Sequence, residues 1–87
     1  MMRIFRLTFF VRSPKVTPLL VKLYDHLKIY IETNFKTTST NTWEKQTFTF
    51  NIKDGEPSTN LKITVRSIDG SCDPLVGAVS VEEITNS

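Results

Sequence analysis

Cysteine occurs once in these 87 residues, at Cys72, so no internal disulfide can form. No Asn-x-Ser/Thr glycosylation site exists either. Both features suit a reducing, intracellular compartment. Glycine occurs three times and histidine once, which leaves no phosphate-cradling glycine loop and no Cys/His set with metal-ligand spacing. The longest apolar-rich runs, residues 7–11 and 18–21, fall well short of the about 20 residues a membrane-spanning helix needs. His26 lies beside Asp25, but no nucleophile is placed with them, and Cys72 reads as a partly buried thiol. The sequence does not read as an enzyme.

Acid is missing from a whole stretch. Residues 1–24 hold no Asp or Glu, and residues 1–36 carry seven Lys/Arg against Asp25 and Glu32. Residues 37–87 carry four Lys/Arg against seven acids, so a net charge of +2 conceals a basic first half and an acidic second half. A basic half attracts anionic lipid, nucleic acid or an acidic protein surface, and it equally describes a solvated strand face. The acidic second half argues against nucleic acid. The opening MMRIFRLTFFVRSPK holds four basic residues and no acid, the composition of a mitochondrial targeting peptide. It also alternates as a strand, and we prefer that reading.

What is present is mostly Val, Ile, Thr and Phe in period 2. Phe5, Leu7, Phe9 and Val11 fall on one face, with Phe10 the exception. Leu27, Ile29 and Ile31 alternate with polar or amphipathic neighbours, as do Phe48, Phe50 and Ile52, and Leu61, Ile63 and Val65. Such segments are strands with one buried face each. Shorter candidates lie at 35–39 and 78–83, and turn clusters at 54–58 and 69–71 punctuate the pattern. Residues 17–34 fit two patterns. Thr17-Pro18 could cap a helix with Leu20, Tyr24, Leu27 and Ile31 in a stripe, while period 2 fits residues 27–32 equally well. Trp43 and the alternating Phe residues read as packing rather than as a base-stacking surface.

From residue 24 onward, the order of features resembles a C2 domain. Tyr24-Asp25-His26-Leu27-Lys28-Ile29-Tyr30-Ile31 resembles the family's Asp-Pro-Tyr-Val-Lys-Val strand entry. Phe35-Lys36-Thr37-Thr38 resembles its fourth strand, and Asn41-Thr42-Trp43-Glu44-Lys45-Gln46-Thr47-Phe48-Thr49-Phe50 is similar to its Asn-Pro-x-Trp-Asn-Glu-x-Phe-x-Phe signature. Residues 61–65 and 68–70 look like the sixth strand and its calcium loop, and Asp73-Pro74-Leu75-Val76-Gly77 like the opening of the seventh. The resemblance implies one all-β domain over residues 1–87, an antiparallel Greek-key sandwich of about seven strands.

The departures shape the expected function. C2 calcium sites cluster about five carboxylates over two loops. Asp25, Asp69 and Asp73 match three positions, Ser67 stands where another Asp belongs, and the acid-free residues 1–24 exclude the remaining one. A vestigial site of three carboxylates is therefore the expectation, with no tight calcium binding and no other cofactor. Lys28, Tyr30, Lys36 and Lys45 fall near the third and fourth strands, where the resemblance implies a cationic patch for phosphoinositide or protein. Each Lys near an anionic leaflet contributes about 1 kcal/mol, screened within a Debye length of about 8 Å. The expected function is a binding module that docks to anionic phospholipid without calcium, at home in the cytoplasm or peripherally on a membrane, with the mitochondrion as the alternative address. The rival is a protein-interaction subunit of a larger assembly, in which a partner covers the edge left by a missing eighth strand.

Overall fold

Period-2 alternation becomes strand over most of its length, and nowhere helix among the described residues. The computed structural model describes residues 2–53 and 60–84, and these contain no helical turn. Six strands follow one another: β1 (Met2–Arg12), β2 (Pro18–Tyr24), β3 (Ile29–Lys36), β4 (Glu44–Lys53), β5 (Lys62–Ser67) and β6 (Leu75–Glu83). They form two antiparallel three-stranded sheets, β4-β1-β6 and β3-β2-β5.

Six strands replace the seven expected, because residues 27–32 and 35–39 are not two strands. Asp25 organises a turn over 25–28, and β3 then runs unbroken to Lys36. The helical alternative for 17–34 is excluded by the same turn, since 18–24 and 29–36 pair with each other as a hairpin. The turn also corrects the expected burial. Leu27 and Ile29 are exposed and only Ile31 of that series is buried, because a register shift at Leu23/Tyr24 rotates the start of β3. The turn expected at 54–58 lies outside the described residues.

The core lies between the sheets. Leu7, Phe9 and Val11 of β1 and Leu19 and Val21 of β2 are fully buried, joined by Leu23, Ile31, Phe50 and Ile52. Both central strands thus send the middle of one face inward, while Phe5 and Arg3 on that face of β1 are only partly buried. Aromatic rings fill the space towards β3 and β4. Phe9 meets Phe48 in a stacked arrangement at 6.0 Å and Phe35 edge-on at 5.9 Å, while Phe5 stacks on Phe50 at 5.7 Å. β3 and β4 come together across the sheets on this side.

Chain direction fixes which connections share an end. Those at 13–17, 37–43 and 68–74 gather at one pole, tied by a hydrogen bond from the Asn41 N–H to the Ser13 carbonyl and one from the Ile68 N–H to the Pro18 carbonyl. The 25–28 turn lies at the opposite pole.

Phe9→Ala removes the ring that both Phe35 and Phe48 touch, and we expect a loss of about 3–5 kcal/mol in urea denaturation. Thr49→Ala, exposed on the outer face of β4, is expected to change stability by less than about 0.5 kcal/mol in the same assay.

Candidate functional site

The residues singled out from sequence do not converge. The Asp25 carboxylate is taken up by its own turn: Oδ1 accepts the N–H groups of Leu27 (2.8 Å) and Lys28 (2.9 Å), and Oδ2 accepts the Tyr30 hydroxyl (2.9 Å). The Lys28 N–H is the main cause holding this carboxyl below its ordinary pKa. Asp69 is likewise a turn former. Its Oδ1 accepts the Ser71 N–H at 2.9 Å, and the hydrogen bonds from Ser71 lower its pKa too.

Asp25 follows the last residue of β2. Asp69 follows Ser67, which pairs with Leu19 near the first residue of β2. The length of that strand, about 20 Å at 3.3 Å per residue, therefore separates Asp25 from Asp69. Asp73 lies on the same connection as Asp69. Among the described residues, no group of three His, Cys, Asp or Glu side chains is placed to hold a metal ion.

The four residues named for lipid or partner contact are also dispersed. Lys28 sits in the 25–28 turn with its Nζ 5.0 Å from the Tyr30 ring centroid, and Tyr30 turns partly inward, 5.9 Å from the Phe50 ring. Lys36 pairs with Pro18 on the outer face of the β3-β2-β5 sheet. Lys45 pairs with Phe10 on the outer face of the other sheet, so the core lies between these two lysines.

Two surfaces escaped the sequence reading. The first is the pole of three connections, where Val16 (41%), Trp43 (47%) and Ile68 (46%) are exposed beside Arg12 and Lys15. Trp43 does not enter the core. Its ring lies against Gly77, where an added Cβ would stand 3.7 Å from it, and with Phe10 and Ala78 it lines a shallow recess of about 260 Å³. This also explains Phe10, the exception to alternation: it points outward.

The second surface is the side of the sandwich opposite the β3–β4 approach. There β5 and β6 each have a single strand neighbour among the described residues. Val81 pairs with the fully buried Leu7, and Val76 with the fully buried Val11, so both valines face the core side of their sheet. Val79, two residues from Val81, shares that face. Yet Val76 (37%), Val79 (45%) and Val81 (39%) are exposed. Facing them on β5, Ile63 and Val65 are only partly buried, although they pair with the buried Leu23 and Val21. The apolar interior thus reaches solvent along one whole side.

β6 is nonetheless held firmly to β1. Arg3 grips Glu83 with two nitrogens (2.9 and 3.0 Å), and Arg6 binds Glu82 Oε1 at 2.7 Å. Cys72 lies within the β5–β6 connection with its Sγ 3.6 Å from Ser13 Oγ, and Ser67 Oγ donates to the Cys72 carbonyl. These contacts are structural, tying one connection to the next.

The Asp25 turn carries a pH signature. Its carboxyl titrates lower folded than unfolded, so its stabilisation is present at neutral pH and is lost as pH falls below about 4. Asp25→Ala is expected to lower the urea midpoint at pH 7 and to make the native chain's loss of stability between about pH 5 and 2 shallower; urea titrations across that range check it.

No family model matches this chain, and neither a curated protein nor a solved structure does.

Proposed function

We propose that this chain is a non-enzymatic interaction module, C2-like in build, that serves as a subunit of a larger assembly by having its β5–β6 side covered by protein. One observation carries this reading: Val76, Val79 and Val81 occupy core-facing positions and remain exposed. Inward-facing valines on a strand are apolar surface that a facing layer ordinarily removes from water. A free strand edge also presents unpaired backbone groups, which attract another strand. The two antiparallel sheets packed face to face support the sandwich part of the C2-like reading. The single cysteine suits an intracellular setting.

Calcium-independent docking on anionic phospholipid is a second reading, favoured by the pole that exposes Val16, Trp43 and Ile68 next to Arg12 and Lys15. Apolar tips ringed by cations suit a headgroup boundary. No helix among the described residues is long and apolar enough to cross a membrane.

Amide exchange and vesicle binding separate the readings. For an uncovered β5–β6 side, the outer amides of β5 and β6 exchange far faster in dilute solution than those of β1 and β2, and Val79→Lys with Val81→Lys lowers binding of a hydrophobic dye without lowering stability. Equal protection of all four strands in a dilute monomer contradicts the assembly reading. For lipid docking, phosphatidylserine vesicles sediment the chain without calcium, and Trp43→Ala with Lys15→Glu reduces this, while Lys28→Glu with Lys36→Glu does not.

A further inference from the structure

The partner can be specified. We infer that the β5–β6 side is covered by a second copy of this chain, with β6 of each copy pairing with β5 of the other; this rests on the assembly reading above. The argument starts from direction. β5 runs towards the 68–74 connection and β6 runs away from it, so the two edge strands of one copy are antiparallel to each other. A two-fold axis parallel to the strands, midway between the sheets, leaves strand directions unchanged and exchanges the two layers. β6 then comes beside β5 of the second copy, antiparallel, in a continuous sheet β4-β1-β6-β5-β2-β3. The same operation pairs β5 with the second copy's β6. Both free edges are used at once, with the sheet spacing matched by symmetry.

The side chains fit this arrangement in one register. Glu82 falls opposite Lys62 of the second copy, Val81 opposite Ile63, Ser80 opposite Thr64 and Val79 opposite Val65. Each pair agrees in face. Val79, Val81, Ile63 and Val65 all point inward, and Glu82, Ser80, Lys62 and Thr64 all point outward. The contacts are β-branched on β-branched inside, hydroxyl beside hydroxyl outside, and one carboxylate against one ammonium, the combinations that stabilise cross-strand neighbours. Arg6 reaches Glu82 with two nitrogens, both on Oε1, and the Glu82 side chain is 59% exposed, so it can bridge Arg6 and an incoming Lys62.

Charge also selects between symmetries. A two-fold perpendicular to the sheets would pair β5 with β5, and one of its two longest face-matched overlaps sets Lys62 against Arg66, like charges directly opposed. Ala78, with φ of 51°, marks a bulge in β6 that confines edge pairing to the residues after it, among which are the four used here.

The test is a charge exchange between chains. The native chain is expected to sediment as a concentration-dependent dimer of about twice its 10.0 kDa mass. Lys62→Glu alone sets two acids opposed at both junctions, Glu82→Lys alone sets two amines opposed, and each variant is expected to dimerise roughly tenfold more weakly. An equimolar mixture of the two variants restores an acid–amine pair at both junctions, and the dimer returns. That recovery is specific to β6–β5 pairing. Variants that dimerise like the native chain, or a mixture that stays monomeric, overturn the inference. A native chain monomeric at every concentration, with β5 and β6 amides exchanging fast, overturns the second copy while leaving the uncovered side standing. Monomers with those amides as slow as β1 overturn both.

Discussion

Two central strands, each with the middle of one face wholly out of water, set everything else in this structure. Leu7, Phe9 and Val11 on β1 and Leu19, Val21 and Leu23 on β2 form the middle of one buried cluster. Each strand also carries a neighbour on both edges, so the registers of β4, β6, β3 and β5 are all referred to these two. Moving either central strand by one residue would send its whole apolar set to the solvent side. The face presented by every outer strand follows from that constraint.

The interior is unevenly filled around this centre. Towards β3 and β4, five aromatic rings on three strands close the gap between the sheets, with Tyr30 completing the group through its contact with Phe50 and its hydrogen bond to Asp25. Towards β5 and β6 the facing apolar residues are Ile and Val, shorter than Phe and attached to strands without an outer neighbour among the described residues. Exposed valines there are a consequence of which side received the rings. Antiparallel pairing with β1 keeps β6 in place despite its uncovered face, with the exposed Arg3–Glu83 and Arg6–Glu82 pairs adding little. An edge that is both ordered and apolar is suited to recognition, because little further ordering is needed on association.

The candidate chemistry was less legible than the strands, for an identifiable reason. Asp25, Asp69 and Asp73 looked alike in sequence because each stands in a turn-forming context beside a strand. What a carboxylate does depends on which donors surround it, and Asp25 is occupied by Leu27, Lys28 and Tyr30. Lys36 and Lys45 are nine residues apart yet lie on opposite outer faces, because the chain crosses between sheets after β3. Trp43 carried the signature of a packing residue and does pack, but against Gly77 on the outside. The one hint of this was Phe10, the apolar residue out of phase, which lines the same recess.

The sequence by itself determined that the chain is mostly strand and which face of β1, β4 and β5 turns inward, while leaving 17–34 open, because side-chain period is a local property that neighbours in the chain reveal. It determined, too, that no disulfide braces the fold and that the first 24 residues hold no acid. Tertiary structure alone decided that β1 and β2 are central and β5 and β6 are edges, that Asp25 and Asp69 sit at opposite poles, and that three core-facing valines meet solvent. Those outcomes depend on pairing between residues distant in the chain, such as Leu7 with Val81 and Leu23 with Ile63. Alternation says which face of a strand is apolar; only the order of strands says whether anything lies across from it.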